Sequence, residues 1–196
     1  MLSTTDIFKL SMKDSDKIEW AKDYLLKWSD FKAEQNPAEF HPAKTTIQYS
    51  ATWKINWINT TNKISYSINE IQLVTEFQKF RSWVRQQEIQ DNERKENILN
   101  HEQGHFDLAE KFRIIITEKI QSKFSENSFP VYGKDDEHVK DFVLKDSKEK
   151  IELELEKQTN DIFRKQEETY DRKTEYGSNS EKQHEFDIEF AKLREK

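Results

Sequence analysis

The spacing of apolar positions changes period along the chain. In TTIQYSATWKINWI, Ile47, Tyr49, Ala51, Trp53, Ile55 and Trp57 alternate with polar neighbours, as a half-buried strand requires. After the turn-like NTTN at 59–62, Ile64, Tyr66 and Ile68 alternate again. The pattern predicts a long antiparallel hairpin over about 44–78. From TEFQKFRSWV onward the spacing reads as helical, with a break near QDNE. A long helix is predicted over about 93–124, with Ile98, His101, His105, Leu108, Phe112, Ile115, Lys119 and Ile120 mostly three or four apart. Asp91 or Asn92 is its expected cap, and Pro130 and Gly133 lie beyond its end. A second long helix is expected over about 138–169, with a discontinuous apolar stripe from Val139 to Phe163. Trp20, Tyr24 and Trp28 fall four apart and suggest a short helix in DSDKIEWAKDYLLKW. YDRKTEYGSNSE reads as a loop, and KQHEFDIEFAKLREK as a short terminal helix.

Composition narrows this picture. Of 196 residues only 34% are apolar and 36% are charged, so the core must be thin for the length. Its 13 Phe, 6 Tyr and 5 Trp argue against disorder, and only 3 Gly and 3 Pro leave room for long elements. The formal charge of -6, with both signs interspersed, lacks the basic footprint of a nucleic-acid binder. With no cysteine, disulfides and thiolate chemistry are excluded. No apolar run approaches the roughly 20 residues of a membrane helix. The first residues lack a basic head followed by an apolar run, so no signal peptide is expected, and the expected location is cytoplasmic.

The chemistry concentrates in NHEQGHFDLAE, residues 100–110. His101 and His105, four apart on a helix, share one face and can grip one Zn²⁺. Glu102 sits a step around the cylinder, placed to take a proton from water activated by the metal. This is the H-E-x-x-H arrangement of zinc metalloproteases. Both histidines lie on the apolar stripe and so point into the fold. The hairpin offers a sheet edge along which an extended peptide or protein substrate can lie. The bland alternative is a pair of buried neutral rings, each hydrogen-bonded. Asp107 lies on another side of the helix from His105 and reads as helix surface or as a polar contact to 170–177; His41 and His138 read as solvated.

LKWSDFK (26–32), AKTTIQY (43–49), SWV (82–84), ILNHEQGHFDLAE (98–110) and YDRKTEYG (170–177) occur in that order. Together they resemble a family of predicted bacterial zinc-dependent proteases, many of them secreted, known as domain-of-unknown-function family 922. The resemblance spans about residues 25–186. It implies an α+β, zincin-like metallopeptidase domain over 25–196, with 1–24 as an N-terminal segment and a helical part from about 134. A long hairpin or small sheet would pack on the helix bearing the motif, with the second long helix behind it. It also implies His101 and His105 as zinc ligands and Glu102 as general base. In that family the late motif carries a histidine where this chain has Tyr176. The third ligand is therefore open: Tyr176 stands first by position and His184 second by ligand quality, with Glu175, Asp171, Glu149 and Glu152 as further candidates. Loss of that histidine also raises a second reading, a catalytically impaired binding protein on the same scaffold.

Overall fold

The computed structural model describes residues 5–9, 16–60 and 63–195. Its strands are β1 (Thr5–Lys9), β2 (Lys17–Glu19), β3 (Ala43–Lys44), β4 (Ile47–Thr60), β5 (Lys63–Gln78), β6 (Trp83–Val84) and β7 (Phe129–Pro130). Its helices are α1 (Asn92–Ser125), α2 (Asp136–Gln158), α3 (Lys165–Thr174) and α4 (Ser180–Glu195). A π-helical segment, Thr159–Arg164, joins α2 to α3. One sheet has the order β1-β4-β5-β2, with β7 also on β5; β3 and β6 form a separate pair. The chain is thus α+β, built of small antiparallel sheets and long helices. No helix among the described residues is long and apolar enough to cross a membrane.

The chain divides into two compact units, to which β4, β5 and α1 each contribute. The first contains 50–73 of the hairpin and 114–161. There the predicted alternation holds for Ala51, Trp53 and Ile55 on β4 and Tyr66 and Ile68 on β5, which are buried, but not for Ile64, which is exposed, and Trp57 is only half-buried. Ile116, Ile120 and Phe124 of α1 and Val143 and Ile151 of α2 complete this core. On β5 the buried parity then switches from even to odd, to Ile71 and Leu73. The switch falls at Glu70, whose backbone is left-handed (φ 48). One extra residue in a strand does this: it bends the strand and returns the next apolar side chain to the same face. The Ile71 amide finds its acceptor on a helix, in Gln121 Oε1 at 2.8 Å. Polar anchors also cross this core, Trp53 Nε1 donating to Ser147 Oγ at 3.2 Å and Tyr66 OH to Asp146 at 2.5 Å.

The second unit contains 16–49, 74–113 and 162–195 among the described residues. Here two expectations fail. The helix expected around Trp20 is replaced, over the described part of that segment, by β2 and a turn. Ile18 pairs with Phe77, and Trp20 and Tyr24 point at separate carboxylates, Asp107 and Asp30. TEFQ likewise belongs to β5, not to a helix, because β2 covers its edge and residues 75–78 are all buried. The turn expected at 59–62 overlaps strand to Thr60, and its centre, 61–62, lies outside the described residues. The long helix matches expectation and runs 34 residues, about 51 Å. Asp91 caps it, accepting the Arg94 amide at 2.8 Å.

Candidate metal centre

Within α1 every residue from His101 to Glu110 is buried. The segment HEQGHFDLAE is mostly polar, so its burial demands partners, since an unmet buried polar group costs about 1–3 kcal/mol. Most have them. Gln103 accepts the Leu26 amide at 2.7 Å and donates to Asp107 at 3.2 Å. Asp107 also accepts from Trp20 Nε1 at 2.7 Å and from Arg194. Glu110 takes the Thr75 hydroxyl at 2.7 Å and the Arg113 guanidinium. Asp107 is therefore a structural anchor, neither helix surface nor a contact to 170–177. The buried atoms of this region left without a hydrogen bond are Glu102 Oε2, His105 Nδ1 and Asp171 Oδ1.

One of these, Asp171 Oδ1, meets both imidazoles. His101 Nε2 and His105 Nε2 lie 3.3 Å apart. Asp171 Oδ1, from α3, lies 3.2 Å from the first and 3.0 Å from the second. Three corners of a tetrahedron with bonds of about 2.0–2.1 Å are about 3.3–3.4 Å apart, so the triangle fits a metal ion with a fourth position left over. His101, His105 and Asp171 are thus a cluster that could hold a metal ion.

The packing behind the triangle fixes its rings. Tyr170 stacks on His101 with centroids 4.8 Å apart and planes 8° from parallel, and meets His105 edge-on. Its hydroxyl lies 3.1 Å from the His101 carbonyl oxygen and 3.0 Å from Gln183 Oε1. Burial pushes this phenol well above its ordinary range, so it stays a neutral donor. Such close stacking needs Gly104: a Cβ there would sit 1.9 Å from the Tyr170 hydroxyl. On the outer side of His101, Nδ1 faces Gln183 Oε1 and Thr174 Oγ1, each at 3.3 Å. The Gln183 amide is oriented because its nitrogen donates to Asp187 at 2.8 Å. His101 Nδ1 therefore carries the proton, and Nε2 keeps a lone pair for a cation.

Electrostatically the cluster acts as a cation site even with a proton in the metal's place. Burial pulls the His105 imidazole down, but the Asp171 carboxylate, helped by Glu102 and Glu167, outweighs it and raises the pKa to about 9. Burial alone would lift Asp171; the two imidazoles overcome it and hold the carboxyl well below the usual carboxylate range. Both shifts describe one ion pair.

A cavity of about 380 Å³ opens over the triangle. Glu102 lines it, as do the β3 segment from Pro42 to Thr46, His41, Arg164, Glu167 and Tyr176. Thr45 Oγ1 reaches the Glu102 carbonyl at 3.4 Å, joining that segment to the helix. β3 pairs with β6 alone among the described residues, so its second edge has no strand partner.

The remaining candidates fall in distinct places. Tyr176 stands half-exposed in the cavity wall with its ring 4.7 Å from that of His41, which lies at the rim. Glu175, Tyr176 and Gly177 have successive positive φ of 49, 55 and 84, a tight left-handed turn that ends α3. Gly177 approaches His101 so closely that a Cβ would lie 2.9 Å from the His101 Cβ. His184 is exposed on α4; its neighbour Gln183 is the residue that reaches the site. Glu175, Glu149 and Glu152 are exposed, and His138 is exposed at the start of α2 with Asp135. The segment read as a loop is helical through Thr174, which is why Asp171 is rigidly placed. Tyr170, Thr174, Gln183, Glu167 and Arg164 escaped sequence reasoning. Arg164, Glu167 and Thr174 share with Asp171 a legible 3-4-3 spacing, a single helix face, and Tyr170 and Thr174 stand in the YDRKTEYG motif.

Comparison of the chain with known protein families, with curated proteins and with solved structures returns no match.

Proposed function

We propose that the protein is a zinc-dependent metallopeptidase, with His101, His105 and Asp171 as the metal-holding residues and Glu102 as general base. The observation that carries this reading is the pattern of unmet polar atoms: buried Glu102 Oε2, His105 Nδ1 and Asp171 Oδ1 lack hydrogen bonds, while Gln103, Asp107 and Glu110 on the same stretch of α1 have theirs. A cavity wall that brings two imidazoles and a carboxylate from α1 against a carboxylate from α3 without satisfying them all is completed by a cation and a water. The resemblance carried by ILNHEQGHFDLAE supports His101, His105 and Glu102 in these roles; at YDRKTEYG it points to position 176, where this chain has Tyr176.

Zinc at these three atoms would supply a Lewis acid that brings the acidity of water into the neutral range. Glu102 takes the proton of the attacking water and passes it to the departing amine. Gln183, Thr174 and Tyr170 hold the His101 ring, and Asp171 neutralises part of the cation's charge. The substrate strand lies along the unpaired edge of β3, backbone to backbone over Ala43–Thr45, between Pro42 and Thr46, whose backbone groups are already bonded within the fold. The reading in which the chain binds a partner without hydrolysis draws its support from a missing third ligand; Asp171 supplies a donor of ordinary chemistry and removes that support.

The test is Glu102→Gln. Bound zinc should stay at the wild-type stoichiometry, while hydrolysis of an unfolded protein substrate such as casein falls at least 100-fold, in line with general-base contributions of about 10²–10⁴. Unchanged turnover would remove Glu102 from the mechanism.

A further inference from the structure

The two imidazoles are backed by different chemistry. His101 Nδ1 meets the neutral oxygens of Gln183 and Thr174. His105 Nδ1 is buried without a hydrogen bond, and Glu167 Oε1 faces it at 3.6 Å. The other oxygen of Glu167 accepts from Arg164 Nη1 at 2.6 Å. The Arg164 guanidinium is in turn braced over the Phe163 ring, 5.2 Å from its centroid. Arg164 is the last residue of the π-helical segment and Glu167 stands in the first turn of α3. Asp171 follows four residues later on the same helix face, so one face carries the brace, the carboxylate behind His105 and the carboxylate beside it.

Resting on the metal reading above, we propose that Glu167 is a positioning residue for His105 and that Arg164 acts through Glu167 by pinning it. Glu167 Oε1 accepts the Nδ1–H of His105 when Nε2 is committed to the metal. A closure of about half an ångström brings the pair into ordinary hydrogen-bond range. The result is an asymmetric centre. A carboxylate behind an imidazole fixes its tautomer and makes it a stronger donor to a cation than a neutral amide does. His105 is therefore the tighter ligand and His101 the weaker one. Arg164 keeps Glu167 from swinging toward Asp171 or into solvent. The ion pair with Arg164 also explains why the Glu167 carboxylate stands so close to His101, His105 and Asp171 without being one of the metal-facing corners.

The experiment measures zinc affinity of the full chain by chelator competition, with the visible spectrum of the cobalt-substituted protein as a second readout. Glu167→Gln and Glu167→Ala should weaken zinc binding about 10–100-fold, shift the cobalt bands, and leave the melting temperature of the metal-free protein unchanged. Arg164→Ala should weaken binding less, and add nothing in the Glu167→Gln background. Zinc affinity of both Glu167 variants within twofold of wild type overturns the proposal and leaves the metal reading standing. Failure of the wild type to bind zinc at all overturns both.

Discussion

Replacing Gly104 with alanine isolates how tightly the site is built. In an exposed helix this change stabilises by about 1 kcal/mol, because alanine is the better helix former. Here the added Cβ would lie 1.9 Å from the Tyr170 hydroxyl, 2.6 Å from its Cζ and 3.2 Å from a Phe190 ring carbon. Tyr170 is fully buried and wedged edge-on against Phe186 and Phe190, so it cannot swing aside as a flexible chain end would. Overpacking of this kind costs about 1–3 kcal/mol, and displacing a buried hydroxyl from its acceptors costs about 1–3 more. Set against the propensity gain of about 1 kcal/mol, the net loss is about 1–5 kcal/mol, read by urea unfolding of the metal-free protein. Zinc affinity should fall as well, since Tyr170 stacks on His101. In a Tyr170→Leu background only the 3.2 Å contact with Phe190 remains, and the cost of Gly104→Ala should largely disappear. A Gly104→Ala protein as stable as wild type, with equal zinc affinity, would refute the packing argument.

Other consequences are open to direct measurement. The metal-free protein carries a proton on His105, raised from 6.5 to about 9 by Asp171 against the pull of burial. That proton contributes stability fully below about pH 6.5, and the contribution fades as pH rises through about 9. Zinc must displace it, so calorimetric titration in buffers of different ionisation heat should show about one proton released near pH 7 and none well above pH 9. Absence of release at pH 7 contradicts the ion pair. At Glu70, left-handed at φ 48, Glu70→Val should lose about 1–2 kcal/mol and Glu70→Gly should be neutral or stabilising; equal unfolding midpoints for the two would dismiss the bulge. Arg194→Ala leaves the buried Asp107 carboxylate without its cation and should cost about 3 kcal/mol, with thermal unfolding as the readout; a loss below 0.5 kcal/mol would show that Trp20 and Gln103 suffice.

Sequence order reveals local periodicity and hides what distant segments do to one another. The motif helix and its cap are legible because ligand spacing, apolar spacing and capping all act within a few turns. The β4 alternation is legible for the same reason. The β5 bulge is not, because Glu70 is an ordinary residue and only the parity of residues on either side betrays it. Trp20, Tyr24 and Trp28 imitate a helix by spacing, yet Trp20 and Tyr24 answer to carboxylates at 107 and 30. TEFQ misleads because buried Glu76 is neutralised by Lys17, across the strand pair at 2.5 Å, a partner far away in sequence. Asp171 stands among several candidates in the sequence. Its selection depends on the π-helical segment and on α3 continuing to Thr174, where Gly177 and polar composition suggest a loop. Gln183 is masked by His184, whose chemistry is the more eye-catching of the two.

The sharpest test of the metal centre is a zinc-edge anomalous difference map from crystals of the zinc-loaded protein. A single strong peak within about 1.9–2.3 Å of His101 Nε2, His105 Nε2 and an Asp171 carboxylate oxygen is the expected result. A peak bound by the Tyr176 phenolate with Asp171 turned away, or no peak between the two imidazoles, would contradict the account.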